Sequence, residues 1–552
     1  MSQVESDDHH VDILIVGAGF AGLYALHRAR SMGFTAAVIE RAHDVGGTWL
    51  WNRYPGCRCD VESIHYSYSF DEQLQQKWNW TEKYATQPEI LSYARHVADR
   101  FKLRTDIRFN TELERLEWSE ETETWMSTQR SVNSGDISML SSTWVIMASG
   151  ALSVPKPFDL PGQEAFLGEI LHTHDWPETA QDFAGKRVAV IGTGSTGIQV
   201  IPEIAKSAAE VIVLQRTPSY VIPAGNRVYS EAERMDVKSR YAEIREQSKS
   251  SRGGIALETT QRPATDFTTD EVIANLQRAY DAGNPFMFSQ MFSDVLVNTK
   301  SNRLVRDFLE AKISERIRQK PELASTVIPH GYPFGTRRMC LDTDYYETLA
   351  SDHVEVIDLR LEPLEGACDR GLQVGERVVD ADVIVIATGF DALTGALLAI
   401  DIAGINGKTL KEHWADGPRS YLGVGMAGFP NLFMVTGPGS PSVLSNVIHS
   451  IELHVEWITE LMRVARDSSL PTVQVLPDAE ESWRSELAET ANTTLFEFAN
   501  SWYVGSNVPG KPRVVLPYLS GVDEYRARIN EVAERDYKGF RFSNLALEGE
   551  KN

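Results

Sequence analysis

Val11-Asp-Ile-Leu-Ile-Val16 runs directly into Gly17-Ala-Gly19-Phe20-Ala21-Gly22, and Glu40 follows 23 residues after Gly17. The first six residues read as a short buried strand, rich in β-branched side chains. Leu23 to Met32 reads as a helix, and Thr35 to Ile39 as a second strand that Glu40 ends. Together they make a complete β-α-β unit rather than an isolated glycine motif. Gly17 permits a tight turn, Gly19 lets the backbone approach a pyrophosphate, and Gly22 lets helix and strand pack closely. The helix N-terminus then turns its free N–H groups toward the phosphates. Glu40 has the reach of a ribose diol, and its charge would repel a 2′-phosphate. The site therefore suits FAD or NAD rather than NADP. The competing reading is a glycine-rich strand–helix turn with no ligand.

A second unit repeats the pattern with one change. Arg187-Val-Ala-Val-Ile191 reads as a strand, and Gly192-Thr193-Gly194-Ser195-Thr196-Gly197 follows it. Ile198 to Ala209 can be a helix, with Pro202 in its early turns. Val211 to Gln215 is the next strand, and it ends in Arg216-Thr217-Pro218 where the first unit carries Glu40. A cation in place of the acid is the swap expected for NADP, because a guanidinium can hold the 2′-phosphate with two hydrogen bonds. The alternative for Arg216 is a surface arginine capping a loop.

The bulk numbers set limits. The 552 residues exceed a single core, so two or three domains are expected. The net charge of −23, from 77 acidic against 54 basic side chains, disfavours nucleic acid and anionic membranes as partners. Four cysteines, Cys57, Cys59, Cys340 and Cys368, make no disulfide framework, and the C-x-C spacing of the first two fits neither a redox pair nor a zinc pair. No metal site is expected. Asp7-Asp-His-His10 is expected to be a solvated tail rather than a metal cluster. No apolar run approaches the roughly 20 residues of a membrane helix, and the N-terminus lacks a signal-peptide core. The cytoplasm is the expected location. A monomer is expected, with weak homo-oligomerisation as the alternative.

The predicted fold is α/β, with two doubly wound dinucleotide-binding domains and a helical insert in the second. Trp144 to Gly150 and Val383 to Gly389 are twin apolar strands ending in small residues, read as the crossings between domains. Residues 1–150 and 385–552 are assigned to a discontinuous FAD domain, 151–225 and 331–384 to an NADP domain, and 226–330 to the insert. Within the insert, Ala232–Gln247 and Leu304–Arg318 are charged and helical in period.

The stretch just ahead of the second unit carries a further pattern. Phe166, Gly168, His172, Trp176 and Pro177 fit F-x-G-x-x-x-H-x-x-x-W-P at every fixed position. This resembles the fingerprint of the Baeyer–Villiger monooxygenases, flavoenzymes that insert one oxygen atom beside a carbonyl carbon. Gly168 is expected to permit a turn, and His172 and Trp176 to sit at a seam that couples NADP binding to the flavin domain. Taken alone, His172 reads as a buried, hydrogen-bonded histidine. The related N- and S-oxidising flavin monooxygenases lack the final Trp-Pro. The resemblance extends through residues 47–60, Tyr332 to Arg338, Ile386 to Asp391 and Ser501-Trp502-Tyr503, nearest to the phenylacetone, steroid and cyclohexanone branches.

The resemblance implies an NADPH- and O2-dependent flavoprotein that turns ketones into esters or lactones through a flavin C4a-peroxide. It also implies roles. Arg338 matches the active-site arginine, and Asp60 the aspartate that pairs with it. The alternative for Asp60 is a loop acid bound to Arg53 or Arg58. Arg337 stands where the family has a lysine for the 2′-phosphate. Gly47, Thr48, Trp49, Asp60 and Tyr66 join Phe20 and Ala21 as flavin contacts, and Trp502 matches a tryptophan near NADP. Leu152, Ser442, Val443, Leu444 and Val447 match pocket positions, while Ala151 replaces a larger polar residue. The rival readings are an N- or S-oxidising monooxygenase, a disulfide reductase, and a non-catalytic flavin-fold protein. The absence of a redox cysteine pair opposes the second, and Arg216 opposes the third.

Overall fold

Ile13, Leu14 and Ile15 are fully buried, as expected of a strand covered on both faces. Their strand, His10–Val16, lies at the centre of the larger sheet of the computed structural model, which describes residues 10–544. Ala36–Ile39 pairs parallel on one side and Trp144 to Met147 on the other. Ile107–Arg108 and Leu432–Met434 extend the parallel layer at its two ends. The first half of the long strand Ile137–Met147 turns away into an antiparallel meander with Thr124–Ser131 and Thr111–Ser119. Asp401–Ala403 closes the far edge.

The second sheet is parallel throughout. Its order is Val354–Asp358, Glu210–Gln215, Arg187–Ile191, Val383–Ile386, Glu169–His172. Val383–Ile386 thus lies wholly in this sheet. A domain boundary at 384/385 would cut the strand in two, and the crossing back toward the first sheet begins after Ile386. The whole stretch Val383 to Ile386 is buried apolar surface, so only its pairing partners distinguish the two sheets.

Two helices begin three residues earlier than the sequence suggests. They are Phe20–Ser31 and Ser195–Ala205, each starting inside its glycine loop. Pro202 therefore sits in the helix interior rather than its early turns. Of the N-terminal tail, Asp7 to His9 lie outside the described residues. His10 belongs to the first strand and its ring bonds Ser141 and Thr143.

Between the paired strands Val221–Pro223 and Cys340–Asp342 the chain is mainly helical: Glu231–Lys249, Thr269–Ala282, Pro285–Gln290 and Thr299–Arg316. Reciprocal caps, Ser230 with Glu233 and Thr268 with Glu271, start the first two. The fourth buries Val305, Leu309 and Ile313, one apolar stripe at four-residue spacing. Among the described residues, no helix is long and apolar enough to cross a membrane.

Candidate active site

The two glycine loops open into one cleft of about 1610 Å³. Each loop has two glycines that packing requires and one that faces open space. A Cβ on Gly22 would lie 1.8 Å from the Gly17 carbonyl oxygen, and one on Gly197 would lie 2.1 Å from that of Gly192. Gly17 and Gly192 themselves adopt φ of 103° and 110°. By contrast, a Cβ on Gly194 would meet nothing within 4 Å, and one on Gly19 only Gly47, at 3.6 Å. Gly19 and Gly194 are also the N-caps of their helices, and neither supplies a side-chain cap. Bare N–H groups at an open helix end suit a pyrophosphate. On these observations the loops fit two dinucleotides.

Glu40 lines the cleft beside the first loop. Its carboxylate accepts hydrogen bonds from the Ala18 N–H at 2.7 Å and the Ala42 N–H at 2.8 Å. Burial raises its pKa and these N–H groups oppose that rise. Phe20, Ala21, Gly47, Thr48, Trp49, Asp60 and Tyr66 share the lining. Trp49 Nε1 donates to the Tyr66 hydroxyl at 3.0 Å, which fixes both rings. Thr193, Ser195, Thr196, Arg216, Thr217, Arg337 and Trp502 line the part beside the second loop.

Arg338 is positioned by the insert. Asn302 grips the loop before it, donating to the Phe334 carbonyl at 2.9 Å and accepting from the Phe334 N–H at 3.0 Å. The Tyr332 hydroxyl donates to the Pro218 carbonyl at 2.8 Å. Arg338 Nε then donates to Asp60 Oδ2 at 2.6 Å, Nη2 to Oδ1 at 2.7 Å, and Nη1 to the Val443 carbonyl at 2.9 Å. Burial disfavours the cation, but the charge and hydrogen bonds of Asp60 outweigh it, and the pKa stands well above the ordinary value. The cation persists at any working pH. Asp60 is held in turn by a loop that docks on the second unit. The Tyr54 hydroxyl donates to Gln199 Oε1 at 2.9 Å, and Gln199 Nε2 donates to the Arg58 carbonyl at 3.1 Å. Arg53 and Arg58 bind Glu178 and Glu82 instead of Asp60.

Arg337 points elsewhere. Its Nη2 donates to the Asn500 carbonyl at 2.6 Å, and its guanidinium lies 5.2 Å from the centre of the Tyr332 ring. It thereby ties the Trp502 segment to the cleft. Tyr503 packs against Trp502 with the rings tilted by 46° and their centres 4.2 Å apart. Its hydroxyl is pushed up to about 12 by burial, with Arg338 opposing.

Several expected positions fall outside the lining. Of the five pocket candidates, Leu152, Val443 and Val447 face the cleft, whereas Ser442 and Leu444 do not. Ser442 is fully buried at φ 42° with its hydroxyl unpartnered, and Ser445 faces the cleft in its place. No fingerprint position lines the cleft either. Gly168 makes no left-handed turn: a Cβ there would meet the Asp382 carbonyl oxygen at 2.4 Å and the Phe166 ring at 2.5 Å, so close packing requires the glycine. His172 ends the edge strand, and Trp176 is buried near Phe183. Their neighbours His174 and Asp175 reach the cleft instead. The sequence reading also passed over Lys156 and Cys340, both in the lining. The thiol of Cys340 lies 3.3 Å from the Ser195 hydroxyl, and burial lifts its pKa to about 11.

Comparison with known proteins agrees with this geometry. Residues 10–252 match the flavin-binding monooxygenase-like family. An acetone monooxygenase (methyl acetate-forming) of Gordonia sp. (strain TY-5) is 38% identical over 97% of this chain and 99% of its own. A phenazine N-monooxygenase of Lysobacter antibioticus is 37% identical over 97% of this chain and 98% of its own. Among solved structures, an oxidised steroid monooxygenase bound to NADP is 45% identical, with TM-score 0.92 and coverage of 97% and 99%. The OTEMO complex with FAD and NADP is 36% identical, with TM-score 0.92 and the same coverage. With this identity over nearly its whole length, the chain belongs to the Baeyer–Villiger monooxygenases.

Proposed function

We propose that this protein is an FAD-containing, NADPH-dependent monooxygenase that converts ketones to esters or lactones. The overall reaction takes ketone, O2, NADPH and a proton to ester, NADP⁺ and water. The observation that carries the reading is a permanent guanidinium, held by Asp60, in the cleft that joins the two dinucleotide loops.

FAD, reduced by NADPH, would supply the activation of O2. The protein residues bind, orient and exclude water. Gly17, Gly19 and the N-terminus of Phe20–Ser31 take the flavin pyrophosphate, and Glu40 its ribose. Gly192, Gly194 and the N-terminus of Ser195–Ala205 take that of NADPH, with Arg216 and Thr217 at the 2′-phosphate. Arg337, which lines the cleft near Arg216, would also serve that phosphate. Arg338 presents its charge where negative charge gathers on the ketone oxygen, and Asp60 and the Val443 carbonyl fix its direction. Trp502 lines the cleft and Tyr503 is buried behind it against Arg338, an arrangement that restricts water there. Leu152, Val443 and Val447 give the ketone an apolar wall. Of Phe166, Gly168, His172, Trp176 and Pro177, the buried Phe166 and Trp176 act by packing, and Gly168 by allowing the close approach of the Phe166 ring.

In this reading the flavin domain comprises residues before about 150 and after Ile386, and the NADP domain lies between, interrupted by the helices of 226–330. The enzyme works as a monomer in the cytoplasm. Its four free cysteines suit a reducing compartment. The test is product analysis with NADPH, O2 and parallel cyclic, aromatic and steroidal ketones beside a thioether and an N-heteroaromatic. Ester or lactone from a ketone is the expected result. Sulfoxide or N-oxide with no ester from any ketone would overturn it.

A further inference from the structure

Seven lysine and arginine side chains line the cleft. Four have a carboxylate partner: Arg41 with Glu112, Arg58 with Glu82, Arg338 with Asp60, and Arg360 with Asp358. The other three, Lys156, Arg216 and Arg337, have none among the described residues. Arg216 is near enough to act on each of the other two. Burial is the larger cause in lowering the pKa of Lys156 and of Arg337, and the charge of Arg216 lowers both further. Lys156 and Arg337 are half-buried, Arg216 is exposed beside them, and the absence of a paired acid makes the two half-buried charges costly in the free protein. An anion of charge −2 removes that cost on binding.

Lys156 reaches this cluster by a route that the second β-α-β unit does not provide. It lies in Val154-Pro-Lys156-Pro, after the strand Ile137–Met147 has left the first sheet. Its backbone N–H donates to the Gly389 carbonyl at 3.0 Å, and Pro155 bridges to Phe390. The two crossing segments therefore hold each other, and the lysine is anchored at its backbone while its side chain stays free of any carboxylate. Arg216 approaches from the end of Glu210–Gln215, and Arg337 from the loop that leads into Cys340–Asp342.

We propose that Lys156 is a third ligand of the 2′-phosphate of NADPH and a determinant of its preference over NADH. The proposal rests on the assignment of Arg216 to that phosphate.

The experiment compares Lys156→Gln, Lys156→Arg and Arg216→Ala in the FAD-loaded enzyme, with flavin absorbance and unfolding temperature as folding checks. The ratio of kcat/KM for NADPH to that for NADH is measured, together with Kd for 2′-AMP and for 5′-AMP. Lys156→Gln should lower the NADPH/NADH ratio about tenfold and weaken 2′-AMP relative to 5′-AMP by a similar factor. Lys156→Arg, which keeps the charge, should recover most of both. If Lys156→Gln leaves both ratios unchanged while Arg216→Ala lowers them, Lys156 is not a ligand and the Arg216 assignment stands. An equal loss with both nucleotides overturns the proposal in favour of a pyrophosphate contact. If Arg216→Ala also leaves the ratios unchanged, the underlying assignment fails as well.

Discussion

Arg338 and Asp60, 278 residues apart in sequence, meet side by side, with two parallel N–H donors on two carboxylate oxygens at 2.6 and 2.7 Å. The pairing fixes the plane of the guanidinium and leaves Nη1 aimed at the Val443 carbonyl at the cleft wall. Such a forked pair is directional in a way a lysine could not reproduce.

Asp60→Ala should therefore leave a folded, flavin-loaded protein whose Arg338 is no longer aimed. NADPH oxidation should continue, but much of it should end as hydrogen peroxide. The ratio of ester formed to NADPH consumed should fall severalfold or more. Full coupling in this variant would mean that the pairing has no part in oxygenation.

Arg216→Ala should raise the KM for NADPH by about thirtyfold, the equivalent of roughly 2 kcal/mol for hydrogen bonds to a charged group. The NADH value should shift little. Steady-state kinetics with both nucleotides measures this directly. A matched loss with both would remove Arg216 from the 2′-phosphate.

The glycines of the second loop offer a contrast between stability and binding. Gly197→Ala places a methyl 2.1 Å from the Gly192 oxygen and should lower the unfolding temperature by several degrees. Gly194→Ala places its methyl in open cleft, so the unfolding temperature should stay close to that of the parent. Its NADPH affinity should nonetheless fall at least tenfold, because the methyl occupies the pyrophosphate's approach. Calorimetry and nucleotide titration on the two variants separate these effects.

Three buried histidines set a pH dependence. His65, His449 and His454 are depressed from an ordinary 6.5 to about 3, chiefly by burial. His454 shows the structural reason. Its Nδ1 accepts from the Thr436 N–H at 2.8 Å, so it has no room for a proton, while Nε2 meets the Tyr525 hydroxyl oxygen at 2.7 Å. Above pH 6.5 both folded and unfolded forms hold these rings neutral. Between 6.5 and 3 the unfolded chain binds up to three more protons, so stability falls as pH falls through that window. The unfolding temperature should drop progressively below pH 6.5, and His454→Gln should make that drop shallower. An unfolding temperature independent of pH from 6.5 to 5 would contradict the neutral assignment.

What could be read in the sequence follows from how local each signal is. The glycine loops, Glu40 and Arg216 belong to contiguous β-α-β units, so spacing alone placed them. The pairing of Arg338 with Asp60 came only from resemblance, since no local rule joins residues so far apart. Ser442 and Leu444 were misplaced because a short turn at φ 42° rotates its side chains off the cleft, and nothing in Pro-Ser-Val-Leu announces that rotation. Val383–Ile386 was divided between domains because a fully apolar strand looks alike in either sheet. The fingerprint drew attention to its fixed positions, yet none of them lines the cleft, Phe166 and Trp176 being buried in packing, while His174 and Asp175 face it. Lys156 gave no signal beyond a cation between two prolines.

The role of Arg338 is tested most directly by Arg338→Ala, assayed for ester and NADPH oxidation together. Flavin reduction by NADPH needs no cation beside the ketone and should persist. Ester formation should fall by a hundredfold or more, about 3 kcal/mol for one charged donor in a water-poor site, with the NADPH consumed appearing as hydrogen peroxide. Ester formed at the parent rate, with one ester per NADPH, would show that the guanidinium held by Asp60 is not what drives oxygenation here.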